Sequence, residues 1–244
     1  MGIFSFRRAL GSAAALALIG GFSLAAVPVH ASDRPIDITS YNVSSITVAD
    51  SNCRYVYVSA TTTVKSDYQS AYGSVDVTRS GGIIDWLTLE NRKISNRAFI
   101  CPAFDGLGTY KIGPADISAT YKYWDSYFQS YETDYADYVD RSVKSFYVRG
   151  KTKSSLTATR SGKYVTLNAK AQVYSPEKYR YGQYNAKGAK FQVKSGTTWK
   201  TLKTVDLSKG AAKLTVLQSS AKTYRLSIPT ATWATSTNSN SVYK

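Results

Sequence analysis

From Tyr164 to Val173 apolar and polar residues alternate without a break. Val165, Leu167, Ala169, Ala171 and Val173 fall on one side of an extended chain, and Tyr164, Thr166, Asn168, Lys170 and Gln172 on the other. A period of two marks a half-buried β-strand, and the Arg160–Lys163 stretch with its Gly162 reads as the hairpin turn before it. Similar runs follow at Ala189–Lys194, Trp199–Val205, Ala211–Gln218 and Thr223–Ile228, divided by Gly188, Ser195-Gly196 and Lys209-Gly210. With short runs at Ser155–Thr159 and Ser239–Tyr243, the last 95 residues hold about seven strands, the count of an immunoglobulin-like sandwich.

The preceding part follows the same rule. Val/Ile/Thr/Tyr-rich runs at Ile36–Val48, Cys53–Val64, Tyr72–Arg79, Ile83–Glu90, Arg97–Cys101, Ala115–Trp124 and Asp137–Val148 are separated by Gly81-Gly82, Asp105-Gly106 and Gly113-Pro114. They predict a second β-sandwich. Its Cys53, Trp86 and Cys101 depart from the antibody pattern, because Trp86 lies too near the second cysteine and Phe99 stands where the tyrosine corner needs Tyr.

The first 31 residues set the expected compartment. Arg7 and Arg8 precede an apolar run from Ala9 to Val27, then Pro28 and Val29-His30-Ala31, the form of a secretory signal peptide cleaved after Ala31. No hydrophobic tail or wall-sorting motif follows Asn238, so neither a transmembrane anchor nor a covalent wall linkage is expected. In an exported chain Cys53 and Cys101 are most simply one disulfide, closing a loop for which chain entropy gives about 4 kcal/mol. His30 is the sole histidine and lies in the leader, so the mature chain has no Ser-His-Asp, Cys-His or His-ligated zinc chemistry.

Charge then divides the chain. Residues 32–149 carry 12 Lys and Arg against 14 Asp and Glu, whereas residues 150–244 carry 17 against 2, the acids being Glu177 and Asp206. Hence the expected organisation is a signal peptide (1–31), a Tyr-rich, slightly acidic, disulfide-containing sandwich (32–149) and a strongly basic immunoglobulin-like sandwich (150–244). The stretch Gly162–Val242, with GKYVTLNAKAQVYSP, KGAKFQVKSGTTWKTLKTVDLSKG and TYRLSIP, resembles the C-terminal immunoglobulin-like domain of secreted actinobacterial proteins, some labelled calcium-binding. That resemblance implies fold and export and carries over no catalytic or binding residue.

Two regions hold candidate chemistry. Fourteen of the 17 basic residues in the last part are Lys, including Lys163, Lys170, Lys190, Lys200, Lys203 and Lys213. Mobile point charges of this kind attract anionic polymers without a tailored pocket, or else they solvate the surface and guard sheet edges. Outside a cell the corresponding partners are teichoic acid, acidic polysaccharide or anionic lipid heads rather than nucleic acid. The second region, Tyr121–Asp140, interleaves aromatic and acidic residues. Trp124, Tyr127, Tyr131, Tyr135 and Tyr138 recur at helical spacing, so the segment is either a short amphipathic helix or a long hairpin. Tyr127, Tyr131 and Tyr135 are its candidate ligand contacts, and Asp134, Asp137 and Asp140 its candidate calcium ligands, since calcium accepts oxygen donors from irregular loops.

Together these features predict a non-enzymatic exported binding or structural protein of the cell envelope or extracellular matrix. The alternative is a small carbohydrate-active enzyme or calcium-dependent module built on 121–140. No other cofactor is expected, and the sequence leaves the oligomeric state open.

Overall fold

Alternating apolar positions build two cores, each lined by the inward faces of two sheets. A computed structural model describes residues 34–244 except 95 and 96; the signal-peptide expectation lies outside the described residues. The chain is all-β, with sandwich-like sheets.

The first ten strands are β1 (Ile36–Val43), β2 (Ile46–Val48), β3 (Arg54–Val64), β4 (Tyr68–Arg79), β5 (Gly82–Glu90), β6 (Lys93–Ile94), β7 (Arg97–Ile100), β8 (Gly108–Asp125), β9 (Ser130–Asp140) and β10 (Lys144–Gly150). They form a three-stranded sheet, β1-β3-β7, and a seven-stranded sheet, β2-β10-β8-β4-β5-β6 with β9 on β8. Ile36, Ile38, Val56 and Val58 from the first sheet meet Val75, Val77, Leu87, Ile112, Ile117 and Phe146 from the second.

Two predicted strands divide. Ile36–Val48 breaks at Ser44-Ser45, so that β1 and β2 enter different sheets, and Asp137–Val148 breaks between β9 and β10. The disulfide joins Cys53 to Cys101. Since Arg54 pairs with Ile100, the bridge extends the β3–β7 ladder within one sheet instead of crossing between sheets. Trp86 is 68% exposed and lies outside the core.

One polar clasp closes the first sandwich. Asp140 is only 2% exposed. Its carboxylate accepts the Ile38 N–H at 2.7 Å and the Ser142 N–H at 2.8 Å. The Ser142 hydroxyl donates to the Ile38 carbonyl at 2.6 Å, and the Tyr138 hydroxyl donates to the Ile36 carbonyl. Together these bonds tie β1 of one sheet to the end of β9 in the other, satisfying backbone groups that burial would otherwise leave costly. Gly113 (φ +86) is required beside them, because a Cβ there would lie 2.1 Å from the Ser142 carbonyl oxygen.

Burial also raises the phenols of Tyr41, Tyr110 and Tyr138, the last up to about 12. For Tyr41 the neighbouring Asp140 carboxylate adds to the effect. A phenol whose folded value lies above its unfolded value contributes stability that is complete below the unfolded value and lost as pH rises through the folded one. Ultraviolet titration is therefore expected to show a group of tyrosines ionising only well above the ordinary value of 10.0, together with loss of the native β circular dichroism.

The second core is lined by strands β11 (Thr152–Ser161), β12 (Tyr164–Ser175), β13 (Arg180–Gln183), β14 (Ala189–Ser195), β15 (Thr198–Val205), β16 (Ala211–Leu217), β17 (Thr223–Ile228), β18 (Thr237–Asn238) and β19 (Val242–Tyr243). One sheet orders β11-β12-β13 with β16 also on β12, and the other β15-β14-β17 with β18 and β19 on β17. Val165, Leu167, Ala169, Ala171 and Val173 of β12 all face the interior, against Phe191, Tyr224, Leu226 and Ile228.

The two cores adjoin at Gly150. Its N–H donates to the Trp233 carbonyl, its carbonyl accepts from Thr235, and Lys151 N–H donates to the Val48 carbonyl. A Cβ at Gly150 would lie 2.4 Å from the Tyr174 carbonyl oxygen, so only glycine permits this backbone crowding.

Candidate functional site

Strand β12 shares one of its edges between two partners. Residues Tyr164–Lys170 pair with β16, and residues Gln172–Ser175 pair with β13. Where the partners change, Ala171 bonds to loop backbone instead: its N–H donates to the Gly210 carbonyl, and its carbonyl accepts from Tyr184. The turn that brings Gly210 there has positive φ at both Lys209 and Gly210, the conformation of a tight two-residue hairpin. Asn185 Oδ1 accepts the Gly210 N–H at 2.9 Å and fixes the turn in place.

The change of partner leaves a notch of about 430 Å³ on the outer face of the sheet. Its lining includes Lys153, Lys170, Lys209, Gln172 and Gln183. Residues facing away from the core supply the lysines: Lys153 stands opposite Gln172, and Ser155 opposite Lys170. Lys213 is one row further along, opposite Asn168. Lys153 Nζ lies 3.8 Å above the Tyr181 ring, a cation–π contact that orients the ammonium while leaving its charge uncompensated. No carboxylate forms an ion pair with Lys153, Lys170, Lys209 or Lys213 among the described residues.

Gln183 also lines a second cavity, of about 600 Å³, beside Arg79, Lys178 and Arg180. The two cavities therefore adjoin, and basic side chains from both cores border them. Arg79 is anchored by a 2.7 Å bond to the Leu107 carbonyl. Of the two acids of the basic part, one borders the second cavity and neither borders the notch. Glu177, on the second cavity, accepts from Ser175 Oγ at 2.5 Å. Asp206 is elsewhere, held below the usual carboxylate range by the Gly188 N–H and then by Lys187.

The six lysines singled out from sequence are thus not one cluster. Lys170 borders the notch and Lys213 its neighbouring row, whereas Lys163 sits in the β11–β12 turn. Lys190 lies on the outer face of the opposite sheet. Lys200 and Lys203 stand opposite Val193 and Phe191 on the edge strand β15. The two cavities also draw on Lys153, Lys209, Arg79 and Arg180. They come from separate segments, and only the Gly210 turn, with its Lys-Gly pair, carried a local signal.

Segment 121–140 is a hairpin. Trp124 pairs with Tyr131 and Ser118 with Asp137, and Asp125 Oδ1 accepts the N–H groups of Tyr127 and Phe128 to cap the turn. Gln129 completes the reversal with φ 52. Tyr131 and Tyr135 lie on the solvent face with Trp124, while Tyr127 is at the tip; their exposures are 71, 66 and 86%. Tyr138 instead packs against the core. The three aspartates do not converge. Asp134 and Asp140 are on the inner side, Asp137 is on the outer side, and both Asp140 oxygens are occupied by backbone N–H groups. Among the described residues no group of three acidic, histidine or cysteine side chains is placed to hold a metal. Tyr121 reaches Asp134 at 3.4 Å, and burial followed by that carboxylate raises its phenol.

No family model and no curated protein matches the chain. Among solved structures it is similar to fibronectin(III)-like modules of CbhA from Clostridium thermocellum, at 15% identity over 85% of this chain and 90% of that one, with a TM-score of 0.31. The human OSCAR ligand-binding domain is 14% identical over 84% and 97%, with a TM-score of 0.28. The D00-D0 domain of intimin is 15% identical over 84% and 98%, with a TM-score of 0.27. The sheets themselves, not these likenesses, establish the all-β architecture. No helix among the described residues is long and apolar enough to cross a membrane.

Proposed function

We propose that this chain is an exported, non-enzymatic binding or structural protein of the cell envelope or extracellular matrix, whose basic part associates with an anionic polymer such as teichoic acid or an acidic polysaccharide. The observation that carries the reading is the notch where Lys153, Lys170 and Lys209 converge beside Gln172 and Gln183. Three ammonium groups without ion-pair partners attract a repeating anion, and the glutamine amides supply neutral donors and acceptors for its hydroxyls. Lysine in place of arginine suits a flexible polymer of repeating charge, because point charges do not demand the fixed geometry of a bidentate fork.

Co-sedimentation of the mature chain with purified cell-wall polymer tests this. Binding is expected at low salt and release at high salt, as the Debye length falls from about 30 Å to about 3 Å. Failure to sediment at low salt would reduce the lysines to a solvated surface.

A further inference from the structure

Among the strands that end the sheets of this molecule, two carry clearly opposite charge. Strand β9 pairs with β8 alone, and β15 pairs with β14 alone, among the described residues. Near its C-terminal end the Tyr138 hydroxyl and the Asp140 carboxylate of β9 bond to β1, while Ser130–Asp137 has no strand on its other side. That stretch contains Glu132, Asp134 and Asp137 and no Lys or Arg. Strand β15, of eight residues, carries Lys200 and Lys203 and no Asp or Glu. Leu202 is a bulge residue with no partner on β14, dividing β15 into two arms with one lysine each. By contrast, the outer edge of the basic strand β11 is partly occupied, because its Thr152 and Leu156 N–H groups donate to Thr235 and Asn240 side chains.

We infer that the acidic β9 edge of one copy of this chain docks on the basic β15 edge of a second copy, joining molecules head to tail. Unpaired strand edges present rows of N–H and C=O groups that seek partners, and charges placed on them decide which partner is tolerated. Here like edges repel, acidic against acidic and basic against basic, while the unlike pair attracts. The contact is heterologous, so a docked pair still offers one free edge of each sign and the assembly grows as an open chain. Opposite sign on two edges that have no strand partner, rather than an exposed apolar face, commits the surface to a second copy.

Sedimentation velocity of the mature chain, with no polymer added, tests this independently of the polymer-binding reading. Association that grows with protein concentration is expected at low salt and its loss at high salt. Two variants sharpen the test: Lys200→Glu with Lys203→Glu makes both edges acidic, and Glu132→Lys with Asp134→Lys makes both basic. Each variant alone, shown folded by circular dichroism, is expected to associate at least tenfold more weakly than the parent. A mixture of the two is expected to recover association, because every edge again meets its opposite. A parent that stays monomeric at low salt, or folded variants whose mixture does not recover, would overturn the inference.

Discussion

Replacing Asp140 with Ala is expected to destabilise the protein by about 3 kcal/mol. The carboxylate is buried and accepts two backbone N–H groups, from Ile38 and Ser142, which belong to segments about a hundred residues apart in sequence. Alanine leaves both donors buried without an acceptor, at about 1 to 3 kcal/mol each, and opens a polar void beside Tyr41. Asparagine keeps one acceptor but turns an amide NH₂ toward the other N–H, so its cost should be intermediate. Chemical denaturation with the disulfide intact reads both values. A loss below 1 kcal/mol for Asp140→Ala would show that the clasp between β1 and β9 does not hold the two sheets together.

The triple substitution of Lys153, Lys170 and Lys209 by Gln is expected to weaken binding to an anionic wall polymer roughly 100-fold at low salt, at about 1 kcal/mol per lysine facing a polyanionic surface. Fold stability should change little. The lysine side chains are exposed, and Lys153 gives up only its contact with Tyr181. The salt dependence of what binding remains should be shallower than that of the parent, because fewer counterions leave the polymer when fewer ammonium groups meet it. A binding assay repeated across salt concentrations reads both effects.

How far the sequence reaches is set by the range of each interaction. Strand β12 was legible because alternation from Tyr164 to Val173 is local and one face of the sheet is dry. The division of its edge between β13 and β16 was not. Hydrogen-bond partners along a strand depend on the order of strands in the sheet, which no local period records. For the same reason Lys153 and Lys209, far apart in the chain, meet in the notch without either standing out beforehand. Segment 121–140 was ambiguous for a different cause: rings at 124, 127, 131, 135 and 138 satisfy a helical period, while 131 and 135 equally satisfy a period of two. Pairing with β8, and the capping of the turn by Asp125, decides for the hairpin. Asp140 looked like a member of an acidic cluster, and only its neighbours in β1 make it a structural acceptor.

On the proposed reading, the polymer binds locally at the notch rather than through the charge of the whole surface. The most direct measurement compares polymer affinity, at one low ionic strength, for two mature variants of equal net charge. One carries Gln at Lys153, Lys170 and Lys209, and the other carries Gln at Lys163, Lys190 and Lys222, all of which lie off the notch. The first is expected to lose most of its affinity while the second stays within a few-fold of the parent. Equal losses in the two variants would show that the polymer reads the charge of the whole basic surface.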